Sequence, residues 1–106
     1  MTYRVPRRLL DGVIAHLDPV EVYLFGSHAR GDAHDDSDID LFVVIDDDRA
    51  EGLNSSRAIG QARQDYFGAV DIVLSTVSRY EAHKTLIGTL AEIVHDEGRR
   101  VYARDA

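Results

Sequence analysis

The chain has 106 residues, 44% of them hydrophobic, no cysteine and a formal net charge of −7. This length predicts a single domain, residues 1–106, without a second substrate-binding domain, and the cysteine count excludes disulfides and cysteine-based zinc sites. No apolar run approaches the ~20 residues of a membrane span, no signal peptide is recognised, and the acidic balance argues against direct nucleic-acid binding. We therefore expect a cytoplasmic domain.

The first part of the chain predicts a helix and then a strand. Residues 5–17 carry apolar side chains at three-to-four spacing, which indicates an amphipathic helix that ends at Asp18-Pro19. Residues 20–25 are β-branched and aromatic and precede Gly26, so they predict a strand.

A short helical turn and a second strand come next. Ser27 is the expected N-cap of the turn, and Gly31 its end. After a loop over 33–37, residues 38–45 predict a strand that is apolar on both faces beyond its first turn. Such a strand is expected at the centre of a sheet.

The remainder predicts two longer helices around a third strand. A helix over 49–66 has a weak apolar pattern, and a strand over 69–74 follows it. A helix over 79–97 is predicted from one apolar stripe, with Gly98 as its stop, and residues 101–102 add a short strand or pack against the core. The stripe comprises Leu86, Ile87, Leu90, Ile93 and Val94.

This order of elements indicates an α/β (α+β) layer domain. The link between the first two strands, residues 26–37, is short for a parallel crossover, which favours an antiparallel or mixed pairing. We expect a small mixed β-sheet flanked by helices.

Two aspartates stand at the start of the second strand. Asp38 and Asp40 are two residues apart, so on a strand both carboxylates project to the same side. Carboxylate oxygens at this spacing suit one or two Mg²⁺ ions. The alternative is a solvated strand start.

Ten residues separate the Gly26-Ser27 pair from Asp38. Glycine lets the backbone approach a phosphate closely, and the serine hydroxyl and the amides of the turn are donors. The alternative is a tight turn with an N-cap. His28 and His34 are interpreted as exposed loop residues.

A third carboxylate, Asp71, stands alone within the apolar run 69–74. If this strand lies beside the one that carries Asp38, Asp71 can complete a metal site or accept the proton of an attacking hydroxyl. On an edge strand it can instead face water.

The combination of Gly26-Ser27, Asp38-Ile39-Asp40 and Asp71 resembles the polymerase-beta-type nucleotidyltransferase superfamily. The short chain and the segments GSHARGD and SDIDL are similar to the minimal nucleotidyltransferases (MNT). These are often antitoxins that are paired with a small helical HEPN-domain toxin.

The resemblance implies a site and an activity. Asp38 and Asp40 would ligate Mg²⁺ in a two-metal site, with Asp71 as the third carboxylate. The phosphates of ATP would be held by Gly26-Ser27, with Arg30 as a further candidate. The implied reaction moves AMP from ATP to a hydroxyl group, with a tyrosine of the partner toxin as the expected acceptor, so a hetero-oligomer is expected.

Two other functions remain open at this stage. The chain can be a binding module that blocks its partner sterically without catalysis, or a nucleotidyltransferase for a small molecule, which the missing second domain disfavours. The acidic surface predicts a partner that is basic near its contact face.

Overall fold

One or two helices precede each strand in this computed structural model, which describes residues 5–34 and 37–105. The helices are α1 Arg7–Leu17, α2 Ser27–Arg30, α3 Asp47–Gly52, α4 Ser55–Ala62, α5 Val77–His83 and α6 Leu90–Glu97. The strands are β1 Glu21–Phe25, β2 Ile39–Ile45, β3 Val70–Thr76 and β4 Arg99–Ala103. Within the described ranges, no helix is both long and apolar enough to cross a bilayer.

The four strands form one mixed sheet in the order β3-β2-β1-β4. β1 pairs antiparallel with β2 and with β4, whereas β2 and β3 are parallel. The predicted mixed sheet is therefore confirmed, and so is the central place of β2. Six of its seven residues are buried, and Asp40 is the partly exposed one.

The core lies on both faces of the sheet because alternate residues of a strand point to opposite sides. Leu41 and Val43 of β2 face α1 and α4, where they join Leu9 and Val13. The opposite face is covered by α5 and α6, and its buried residues are Phe42, Val44, Tyr80, Ala91 and Val94. Asp40 has the same parity as Phe42, so it belongs to this second face.

The single helix predicted over 49–66 is wrong. The chain forms α3, leaves the helical conformation at Leu53 and starts α4 after Asn54. The Asn54 side chain accepts a hydrogen bond from the backbone N–H of Arg57 at 3.1 Å. An N-cap of this kind begins a new helix, because it satisfies an N–H that has no partner inside the helix.

The single helix predicted over 79–97 is also wrong. α5 and α6 are separated by a turn in which Gly88 has a φ of 94°. Thr89 caps α6 by accepting a hydrogen bond from the Glu92 N–H at 3.2 Å. The predicted apolar stripe is consequently broken, and among its members only Val94 is buried.

Candidate active site

Asp40 and Asp71 are paired positions of the parallel strands β2 and β3. Neighbouring strands lie about 4.8 Å apart, and in-register partners of a parallel pair project to the same face. Asp71 is exposed and Asp40 is half-buried. The structure therefore brings together two of the three carboxylates that the sequence singled out.

Asp38 lies one residue before β2, so the predicted start of this strand is one residue too early. Its carboxylate is exposed, and its charge acts on Asp40. Ser37 anchors the backbone here: its carbonyl oxygen accepts a hydrogen bond from His28 Nε2 at 3.1 Å, and its hydroxyl oxygen accepts one from the His34 N–H at 2.8 Å. These bonds hold the end of the loop against α2.

The electrostatics of the site centre on Asp40. Its pKa is raised first by burial and then by the charges of Asp71 and Asp38, while His28 and Arg30 act in the opposite direction. Crowded carboxylates favour a bound cation, since each disfavours ionisation of the other. The site thus has the electrostatic character of a cation site.

The donor chemistry of these carboxylates fits Mg²⁺, which takes oxygen ligands and is usually held by one or two carboxylates together with substrate phosphates. Among residues 5–34 and 37–105, no group of three or more His, Cys, Asp or Glu side chains is positioned to hold a metal ion. The carboxylates therefore fit Mg²⁺ as a pair, with the remaining ligands supplied by a substrate. They do not form a complete set of metal ligands by themselves.

Gly26 joins β1 to α2 with a φ of 74° and a ψ of −153°, a conformation that is essentially confined to glycine. A Cβ atom at this position would collide with the carboxylate of Asp40. The absence of a side chain thus allows the turn to lie directly against the carboxylate. The candidate phosphate turn and the candidate metal ligand are in contact.

Ser27 is the first residue of α2, not its N-cap as predicted. Gly26 occupies the cap position, and no side-chain cap bond is present there. The carbonyl of Gly26 accepts hydrogen bonds from the N–H groups of Ala29 and Arg30, both at 3.1 Å. Ser27 is half-buried beside the turn.

Arg30 projects from the last turn of α2 with 47% of its side chain exposed. It forms ion pairs with Asp32 at 3.3 Å and with Glu97 of α6 at 3.7 Å. Its charge favours the ionised form of Asp40 and so opposes the rise in the pKa of that carboxyl group. Exposed ion pairs of this kind are weak, so the guanidinium can exchange them for a phosphate.

His28 is the residue near the site that sequence reasoning misjudged. It belongs to α2 and is half-buried, whereas an exposed loop position was predicted. Its positive form opposes the effects that raise the pKa of Asp40. The sequence did contain a signal for the correct placement, because His28 directly follows Ser27 inside the predicted helical turn.

A glycine turn thus touches one of two paired carboxylates on the mixed sheet. The profile of the family described as nucleotidyltransferase domain matches residues 7–100. The chain belongs to this family, which confirms the resemblance seen in its motifs. No curated protein matches the sequence.

The solved structures that resemble the chain include the following two. A toxin–antitoxin crystallised with AMP-PNP aligns with a TM-score of 0.62 at 21% identity, over 91% of this chain and 71% of the other. A proposed nucleotidyltransferase from Sulfolobus solfataricus aligns with a TM-score of 0.53 at 20% identity, over 98% of this chain and 95% of the other. Both have the same fold as this chain.

Proposed function

We propose that this protein is an Mg²⁺-dependent nucleotidyltransferase that moves AMP from ATP to a hydroxyl group of a partner protein and thereby acts as an antitoxin. The expected partner is a HEPN-type toxin, and the expected acceptor is one of its tyrosines. The observation that carries the proposal is the contact of Gly26 with Asp40, which is itself paired with Asp71. A phosphate turn and two carboxylates thus share one end of the sheet in a chain of the nucleotidyltransferase family.

In this proposal Asp38 and Asp40 hold Mg²⁺, and Asp71 adds the third carboxylate. The ions, when bound, neutralise charge on the triphosphate and on the leaving pyrophosphate. The backbone at Gly26, the hydroxyl of Ser27 and the guanidinium of Arg30 orient the triphosphate. The raised pKa of Asp40 supports this assignment, because it reports excess negative charge at the site.

The proposed reaction forms a bond between the acceptor hydroxyl oxygen and the α-phosphorus of ATP. The bond from the α-phosphorus to the oxygen that bridges to the β-phosphorus breaks, and pyrophosphate leaves with that electron pair. The hydroxyl proton passes to the carboxylate of Asp71. Asp71 is suited to this role because it is exposed and faces Asp40 across the strand pair.

A partner protein as acceptor is supported by two observations. Asp38 and Asp71 are both exposed, so the site is open to a macromolecule. The second observation is the similar fold of a toxin–antitoxin that was crystallised with AMP-PNP, a nucleotide analogue.

The test combines the protein with ATP, MgCl₂ and the protein encoded beside it, followed by intact mass analysis of that partner. We expect an AMP adduct with the wild type and none with Asp38→Ala/Asp40→Ala. The variant Asp48→Ala/Glu51→Ala is the matched control, since it removes two exposed carboxylates from α3 instead. An equal adduct with the double site variant would exclude the proposed activity.

A second candidate is a non-catalytic antitoxin that blocks its partner sterically. It is favoured by one observation: large apolar side chains such as Ile87 are exposed and suit a contact with another protein. Growth rescue separates the two functions. If Asp38→Ala/Asp40→Ala still protects cells from the partner, binding alone suffices.

A further inference from the structure

Four large apolar side chains are exposed along α6 and the turn that precedes it. We call them the α6 apolar face: Leu86, Ile87, Leu90 and Ile93, with exposed fractions of 54%, 90%, 36% and 42%. Isolated apolar side chains on a surface are ordinary, but a contiguous group is typical of an interaction site. The inner side of the same helix, Ala91 and Val94, packs against the sheet.

A groove of about 170 Å³ borders this face on the side of β2 and β3. Its floor contains Phe42 and Val73 of the two strands, and its walls include Arg79, His83 and Leu90. Leu90 belongs to both features, so the exposed apolar residues and the groove form one continuous surface.

The floor of the groove lies near the candidate active site. Phe42 and Val73 are paired with each other, and each lies two residues after its aspartate, Asp40 or Asp71, on the same sheet face. A strand rises about 3.3 Å per residue, which places the groove about 7 Å along the sheet from the carboxylates. A protein seated on this surface therefore has a short path to the reacting groups.

The charges of α6 indicate the chemistry of the occupant. The helix carries Glu92 and Asp96, has no lysine or arginine, and ends in Glu97, which pairs with Arg30 at 3.7 Å. The whole chain has a net charge of −7, so a second copy would bring like charge to this face. A partner with an apolar contact surface bordered by Lys and Arg is complementary to it.

We propose that the α6 apolar face and its groove form the docking surface for the acceptor protein, which binds through an apolar surface bordered by basic side chains and so presents its hydroxyl group to Asp40 and Asp71. The identity of the occupant as acceptor rests on the proposed function. The docking itself does not depend on catalysis.

The experiment measures complex formation with the protein encoded beside this one, without ATP, by titration calorimetry. We expect Ile87→Glu to weaken binding about tenfold and Ile87→Glu/Ile93→Glu about 100-fold, because a charge replaces a buried apolar contact. Binding is also expected to weaken as the salt concentration rises. Binding that does not depend on salt would contradict a partner surface bordered by basic side chains.

The matched control is Ala15→Glu/Gln61→Glu, which adds the same two charges at exposed positions of α1 and α4, on the opposite face of the sheet. We expect it to bind like the wild type. Binding of ATP and Mg²⁺ by the isolated chain is measured for every variant and is expected to stay unchanged. This readout shows that a variant with lost docking is still folded.

Three outcomes overturn the docking surface: absence of a complex with the wild type, equal binding by the Ile87→Glu/Ile93→Glu variant and the control, and self-association of the isolated chain that Ile87→Glu abolishes. The last result would assign the face to a second copy. A complex that Ile87→Glu weakens, without AMP transfer by the wild type, supports the docking surface and excludes the proposed activity.

Discussion

Asp40 and Asp71 are direct partners in the parallel pairing of β2 and β3, so both carboxylates lie on the sheet face that carries α5 and α6. The crossover between the two strands passes through α3 and α4. The crossover places β3 beside β2 in the register that pairs Asp71 with Asp40. The Asp40–Asp71 pair is thus a product of the crossover, although each residue is visible separately in the sequence.

The proposed role of Asp71 as proton acceptor predicts an effect on kcat that is much larger than any effect on ATP binding. Asp71→Asn should lower kcat for AMP transfer about 100- to 10,000-fold, because the amide cannot take the hydroxyl proton. Asp65→Asn, an exposed aspartate that precedes β3, is the control with the same charge change. Single-turnover transfer and ATP binding are measured side by side.

A recovery of Asp71→Asn activity at high Mg²⁺ concentration would contradict this role. It would show that the residue acts mainly as a metal ligand, whose loss is compensated by mass action.

The contact between Gly26 and Asp40 predicts that Gly26→Ala impairs both folding and transfer. The positive φ and the collision of a Cβ atom with the carboxylate should together lower the free energy of unfolding by about 1–3 kcal/mol. Gly60→Ala is the control, since Gly60 is exposed in α4 with no neighbour within 4 Å of a Cβ atom. It should stabilise by about 0.5–1 kcal/mol.

Urea titrations of the two glycine variants measure these changes. Equal stability of Gly26→Ala and wild type would exclude the close approach of the turn to Asp40.

The raised pKa of Asp40 predicts a pH-dependent gain from Asp40→Asn in metal-free buffer with EDTA. A raised folded-state pKa contributes stability that is fully present below the ordinary aspartate pKa of 3.8 and is lost as pH rises through the folded-state value. The variant does not lose stability in this way, because an asparagine side chain does not titrate. Its thermal midpoint relative to the wild type should therefore increase as pH rises from about 4 and then level off.

Mg²⁺ and ATP together should reduce this difference, since a bound cation removes the repulsion among the carboxylates. A gain of Asp40→Asn that is constant from pH 4 to pH 8 would contradict the raised pKa.

Thr89 is expected to maintain the turn between α5 and α6. Its hydroxyl accepts from the Glu92 N–H at 3.2 Å and lies 2.9 Å and 2.8 Å from the carbonyl oxygens of His83 and Leu86. Thr89→Ala should cost about 1–2 kcal/mol, the usual penalty for loss of an N-cap. Thr89→Ser keeps the hydroxyl and should remain close to the wild type in urea denaturation. If Thr89→Ser loses as much stability as Thr89→Ala, the hydroxyl bonds are not the cause of the loss.

The strands were predictable because their signals are local. β1 and β2 lie within one residue of the predicted bounds, and β3 extends two residues further than predicted. Each is a short β-branched run bounded by turn residues. The candidate site residues were visible for a related reason, since an aspartate inside an apolar strand is conspicuous without any tertiary information.

The helices were less predictable because a cap can break a continuous pattern. Leu90, Ile93 and Val94 fit one helical stripe, but α6 packs against the sheet through Ala91 and Val94 and leaves the other two exposed. Periodicity states which side chains share a face. It does not state whether that face meets the sheet or the solvent.

The sequence by itself determined the strand segments, the glycine turn, the isolated aspartates and the family, because these depend on residue type and spacing along the chain. Only the tertiary structure decided that Gly26 touches Asp40, that Asp71 is the partner of Asp40, and that an apolar face of α6 stays exposed beside them. These relationships depend on strand register and on the packing of helices across the sheet. Such long-range contacts are set by the fold as a whole, and no local pattern encodes them.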